Sequence, residues 1–393
     1  MRALGAGKRV MRAASLRLWL VPCTIAVFLA AQGADATLAA GWMLLVLGST
    51  VALLCGAVDW QRPLSRVETA IALVIAAGCA SAAFGVDAQR SLLMSVPLLA
   101  SLLLWILIVR ARDTHLAHAA AAAGLAVAAC VQAALVLIAA AAVPQAAASE
   151  WIARADAAWL VVPNDIGWIA CILPLLAAAT RRPRAILAIL LGGYLALCAF
   201  VHSRGAATTA LATSVAFIAL SRHRRIAEFD ARRWFVAIGL AMAAALAVFA
   251  FASMRARLQL WQAAWGIFLD HPSTGIGVHN FVLVYRSYLP PNYDLIDARI
   301  TPWPHNLFLE IAAEWGLIGI VPWAFLAACV ARRGWRVLAA VSPAQCAALA
   351  GCVGLLLLAL AEASFLRQWV WIVGAVLCAL LHADRDKEQG QQQ

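Results

Sequence analysis

Apolar runs long enough to cross a hydrocarbon core recur along the whole chain, separated by short bands rich in arginine. Cutting the sequence at those bands predicts twelve spans, at about 18–34, 38–58, 69–84, 91–109, 116–142, 165–180, 185–201, 205–220, 234–253, 307–331, 338–361 and 368–382. A helix needs roughly 17–25 apolar residues to cross a bilayer. Lipid demands that backbone polar groups be satisfied within each segment, so the runs are read as helices. The expected fold is all-α: a polytopic membrane protein of about 12 transmembrane helices, a single integral membrane domain over 1–393.

Composition agrees, with 65% hydrophobic and only 12% charged residues, against about a quarter charged in soluble domains. The net charge of +11 does not call for nucleic acid, because the basic residues lie in bands between apolar runs. Those bands orient the chain. Of its 30 Lys and Arg residues, 22 fall on one side of the predicted spans and 8 on the other, which puts both termini in the cytoplasm. The basic start, short first apolar run and Ala34-Asp35-Ala36 also fit a cleaved signal peptide, but the many spans that follow favour a retained first helix. All ten cysteines lie in apolar runs and no C-x-x-C occurs, so neither a disulfide framework nor a zinc site is expected. The tail, 383–393, reads as flexible and cytoplasmic.

Two extracytoplasmic loops are long, about 143–164 and 254–306. The second, between spans 9 and 10, is too aromatic for disorder, and its LQLWQAAWGIFLD stretch predicts a helix lying on the membrane surface. The loop ends in TPWPHN, so His305 opens the tenth span on the extracytoplasmic side. Asn306 is the expected N-cap. The partial positive charge of a helix N-terminus disfavours imidazolium, and a neutral imidazole can take a proton from a hydroxyl. An interfacial histidine bonding in the headgroup region is the plainer alternative.

Arg204, in HSRGA, sits in a turn so short that its guanidinium lies near the membrane plane, where it calls for an anion or an aqueous cavity; a snorkelling surface arginine is the other reading. Arg255 and Arg257 precede the amphipathic stretch, and Arg286 follows it in VLVYRSYLP. Guanidinium forks converging on one cavity hold a pyrophosphate well, whereas Arg255 and Arg299 read better as headgroup contacts. His271 and His279 match no standard ligand spacing with His305, so no metal is expected, and the His-Pro and Gly-x-Gly pairs read as turns. Glu310 and Glu314 share a helix face; either could orient His305 or pair with an arginine, and the sequence does not choose.

His305-Asn306, nine residues, Gly316, two residues and Gly319 resemble the H-N-x9-G-x-x-G signature of the bacterial O-antigen ligase superfamily. RLQLWQAAWGIFLDHPSTGIGVHNF, HSRGA at 202–206 and Pro163-Asn164 are similar to further elements of that superfamily. The resemblance implies a GT-C-like, metal-independent, inverting glycosyltransferase of the bacterial inner membrane with its active site facing the periplasm. It moves a glycan from undecaprenyl diphosphate to an acceptor hydroxyl and uses no cofactor. By that resemblance His305 is the catalytic base, and Arg204 and Arg257 bind substrate; Arg286 joins them by position alone.

The expected partners are an undecaprenyl-diphosphate-linked glycan donor, a lipid A-core acceptor and membrane lipids. O-antigen ligation is favoured over O-antigen polymerase and protein O-oligosaccharyltransferase, since protein-modifying members carry more sequence after the histidine region. A lipid-linked sugar transporter is the reading from another class. It predicts polar residues at mid-membrane and discontinuous helices in both halves, whereas the mid-span residues here are mostly Ala, Leu, Val and Cys.

Overall fold

A computed structural model describes residues 46–48, 50, 58–61, 63–111, 114–142, 166–201, 203–223, 257–289, 303–339, 342–361 and 369–382. Among them the regular elements are all helical: α1 (Arg66–Ala83), α2 (Ala88–Met94), α3 (Val96–Val109), α4 (Thr114–Ala142), α5 (Gly167–Ala178), α6 (Pro183–Phe200), α7 (Arg204–His223), α8 (257–270), α9 (Phe281–Val284, continuing as a 3-10 turn over Tyr285–Tyr288), α10 (Leu307–Ala339), α11 (Pro343–Ala361) and α12 (Trp369–Leu381). Six of the described spans are long and apolar enough to cross a membrane, with α2 and α3 joining into one of them, and α5 and α12 are shorter apolar helices. The expected spans 18–34 and 234–253, nearly all of 38–58, the loop 143–164 and the tail 383–393 lie outside the described residues.

Where prediction and structure overlap, the elements agree and their ends differ. Arg204 is the first residue of a helix rather than part of a turn, and α10 runs on to Ala339. Its 33 residues are not one continuous helix, because Gly316 has φ 59° and ψ −158° and breaks it.

The helices pack in two groups. In one, α11 lies against α5, α7 and α12, with the α6–α7 pair folded onto α5; in the other, α10 runs along α1, and α12 also packs on α3. Without a hydrophobic driving force inside lipid, close approach depends on small residues. Gly354 of α11 illustrates this: a Cβ there would overlap Thr213 of α7 and come 3.2 Å from Cys171 Sγ of α5. Buried polar groups are tied across the packing. Trp168 Nε1 donates to Gln132 Oε1 at 2.5 Å, and the Tyr194 hydroxyl to the Ile166 carbonyl at 2.7 Å.

Ser65 and Glu68 form a reciprocal capping box at the start of α1. Glu68 pairs with buried Arg110, which also donates to the Pro63 carbonyl at 3.2 Å. The Asp59 N–H donates to the Arg110 carbonyl at 2.8 Å, so the segments flanking α1 and α3 are fastened together there.

Candidate active site

The segment entering α10 is held from both sides. Asn306 caps the helix as expected, its Oδ1 accepting from the N–H groups of Phe308 at 3.0 Å and Leu309 at 3.2 Å. On the other side, the indole Nε1 of Trp261 in α8 donates to the Pro304 carbonyl at 2.7 Å. His305 lies between these anchors with φ 52°, a left-handed conformation that few non-glycine residues adopt. Such strain costs about 1–3 kcal/mol and persists only where the surroundings fix it. The Trp303 ring lies 4.9 Å from the imidazole, centroid to centroid.

α8 organises more than this anchor. Its inner face, Leu260, Ala264 and Ile267, packs on Ile276, Phe281, Tyr285 and Ala313. Arg257 stands one turn before Trp261 and on the same face. At the far end, Asp270 accepts from the Tyr288 hydroxyl at 2.8 Å, and Gly266 leaves room for the Tyr288 ring. Tyr288 lies two residues from Arg286, whose exposed guanidinium donates to the Tyr285 hydroxyl at 3.2 Å and is raised in pKa by that bond. One helix therefore carries Arg257 and meets the His305 segment through Trp261 near its start, and the Tyr288 segment beside Arg286 through Gly266 and Asp270 toward its end. Arg204 is not placed around α8: it is exposed at the start of α7, whose packing partners are α5, α6 and α11.

The H-P-S-T-G-I-G loop after α8 has a role its turn-like sequence does not announce: it fills the break in α10. Ile276 and Gly277 donate their N–H groups to the carbonyls of Ala313 and Glu314, where the first half of α10 ends. Pro272 and Ser273 accept from the N–H groups of Leu317 and Ile318, where the second half begins. Gly275 and Gly277 have φ 67° and 97°, and a Cβ on Gly275 would overlap the Glu314 carbonyl group.

Glu314, 1% exposed, neither touches the His305 ring in any described bond nor faces lipid. Its carboxylate accepts from the N–H groups of His279 at 2.7 Å and Phe281 at 3.0 Å, clamping the loop. The same loop is gripped by the corner between α1 and α2. Arg90 Nε donates to the His279 carbonyl at 3.1 Å, Ser91 Oγ to the Val278 carbonyl at 2.8 Å, and Ser81 Oγ to the Glu314 carbonyl at 2.8 Å. Arg90 and Ser91 were not singled out from the sequence. Arg90 is one of the eight basic residues expected on the extracytoplasmic side, in a loop with no motif of its own, and its partner lies 189 positions away.

His279, Glu310 and Glu314 are buried, with their ligand-capable atoms within 4.8 Å of one another, and form the one group among the described residues that could hold a metal ion. Burial, then the nearby Arg90, lowers the His279 pKa to about 3, so its imidazole is neutral. Both Glu314 oxygens already accept backbone N–H groups. A cation would have to share those oxygens.

A family model described as O-Antigen ligase matches residues 153–324. Residues 153–324 belong to the O-antigen ligase family. No curated protein matches the chain. The O-antigen ligase segment contains Arg204, Arg257, Arg286, His305 and both glycines of the signature, along with α8 and the loop that fills the helix break. With several apolar helices around it, the chain is a membrane protein with an O-antigen ligase or polymerase type of function.

Proposed function

We propose that this O-antigen ligase family protein is an inverting, metal-independent glycosyltransferase of the bacterial inner membrane. It transfers a glycan from undecaprenyl diphosphate to a hydroxyl of the lipid A-core at the periplasmic face. The observation that carries the reading is the strained His305, pinned at the mouth of α10 by the helix that also bears Arg257. The acceptor hydroxyl gives its proton to the imidazole as its oxygen forms a bond to the anomeric carbon. The bond from that carbon to the diphosphate oxygen breaks on the opposite face, and the electron pair leaves with undecaprenyl diphosphate. The leaving group needs no strong acid. It needs cations where charge accumulates, the role of Arg204, Arg257 and Arg286, and a base already aligned.

In a purified assay with lipid-linked glycan and lipid A-core, His305→Ala abolishes transfer at unchanged expression; full activity of that variant overturns the base assignment. Deleting the gene leaves bare core and carrier-linked polymer on a lipopolysaccharide gel. Core bearing a single repeat unit would instead identify a polymerase, and unaltered lipopolysaccharide with loss of a glycoprotein would identify a protein O-oligosaccharyltransferase.

A further inference from the structure

The L-x-x-W element of α8 has no part in the chemistry just described, yet its tryptophan touches the segment that bears the base. We propose that Trp261 is a positioning residue: its indole N–H, bonded to the Pro304 carbonyl at 2.7 Å, sets His305 at a fixed separation from Arg257. The inference rests on the reading of His305 as base.

Three observations converge on it. His305 holds a left-handed backbone conformation that a free loop would relax. Asn306 fixes only the downstream side, through its cap on Phe308 and Leu309. Upstream, Pro304 has no N–H to offer, so its carbonyl is that residue's one backbone hydrogen-bonding group, and it is the group Trp261 holds. The group that holds it belongs to a helix whose inner face is packed on Ile276, Phe281 and Ala313, and so is itself well supported. Because Trp261 and Arg257 are one turn apart on that helix, a shift of the Pro304 anchor changes the distance between proton acceptor and diphosphate cation. The nucleophile then meets the anomeric carbon out of line while each substrate still binds.

The test is Trp261→Phe in the full-length protein, reconstituted in nanodiscs, with kcat and KM measured separately for the lipid-linked glycan and for lipid A-core. The ring is retained and the N–H lost. The expected result is a fall in kcat of about 10- to 100-fold, the scale of an ångström-sized misplacement. Both KM values and the unfolding temperature stay near those of the parent. A kcat equal to the parent's, or a rise confined to KM, overturns the proposal. Benzothienylalanine at position 261, with sulfur replacing the N–H at nearly constant shape, gives the same reading should Phe prevent folding. His305→Ala is measured in parallel. If it is inactive while Trp261→Phe is fully active, the positioning role alone fails; if it is active, the base reading fails and the positioning role with it.

Discussion

Gly316→Ala tests whether α10 is broken and filled as described. At φ 59° and ψ −158°, Gly316 occupies a region that is essentially glycine-only and costs a side-chain-bearing residue about 1–3 kcal/mol. Space is also lacking, since a Cβ would stand 2.6 Å from the Gly275 nitrogen and 2.7 Å from the Ser273 carbonyl carbon and oxygen. These are backbone atoms held by the hydrogen bonds of the loop, the Ser273 carbonyl accepting from the Ile318 N–H and the Gly275 N–H donating to the His271 carbonyl, so they cannot swing aside as a side-chain tip would. Overpacking of this kind adds about 1–3 kcal/mol. The sum, about 4 kcal/mol, corresponds to roughly a thousandfold change in an equilibrium constant and lowers the unfolding temperature by on the order of 10 °C. Thermal unfolding of the detergent-purified protein can be followed with a thiol-reactive dye, because Cys171, Cys198 and Cys346 are buried in the fold. Gly192→Ala and Gly193→Ala are the controls: nothing lies within 4 Å of either added methyl, and both should be neutral or slightly stabilising. Should Gly316→Ala unfold at the parent's temperature and keep its activity, the broken helix and the inserted loop would both be wrong.

Arg257→Lys keeps the charge but loses the planar fork that matches a diphosphate, so transfer activity falls severalfold or more in initial-rate measurements; parental rates would show that Arg257 does not grip the donor. His279 makes stability depend on pH. Its folded pKa of about 3 lies below the unfolded value near 6.5, so the unfolded chain binds the proton first. The contribution is whole above about pH 6.5 and is lost as pH falls toward 3, by roughly 1.4 kcal/mol per pH unit. His279 has φ 61°, a left-handed backbone that Asn tolerates, so His279→Asn should flatten that acid dependence in pH-resolved unfolding curves. Transfer should survive excess chelator, and loss of activity restored by a divalent ion would make His279, Glu310 and Glu314 a cation site.

How much of this was legible in the sequence depended on whether a feature was local. The Asn306 cap, the turns at His271-Pro272 and Gly275-x-Gly277, and the helix beginning near Arg257 all follow from residues within a few positions of one another, and all are present. The break at Gly316 was not legible, since an apolar run with an occasional glycine is an ordinary membrane helix; only the loop arriving from some 40 residues upstream makes that glycine necessary. The partners of Glu314 proved to be backbone N–H groups of the loop, which carry no side-chain signature. Arg90 and Ser91 were silent for the same reason, as both donate to backbone carbonyls. In the candidate site, His305 was singled out by its place at a helix mouth and Arg257 by resemblance, whereas the bond between Trp261 and Pro304 spans 43 positions and emerges only from the fold.

The broken α10 bears directly on the choice between an enzyme and a lipid-linked sugar transporter, because discontinuous helices are a hallmark of transporters. In those proteins a break serves function by leaving half-helix ends unsatisfied, so that free N–H groups meet an anionic substrate and free carbonyls meet an ion. Here the ends are already occupied. The carbonyls of Ala313 and Glu314 accept from Ile276 and Gly277, and Glu314's also accepts from Ser81, while the N–H groups of Leu317 and Ile318 go to Pro272 and Ser273. Non-helical backbone is tolerated at such a place when it is buried in protein, and Glu314, Val278 and Asn280 are buried. The break thus acts as a joint that locks the 271–281 loop to α10. That loop follows α8, which carries Arg257 and anchors the peptide before His305, so the joint stiffens the frame around the proposed base. Rigidity of that kind suits a reaction that must align three atoms and is poorly suited to a helix that must rock between two states.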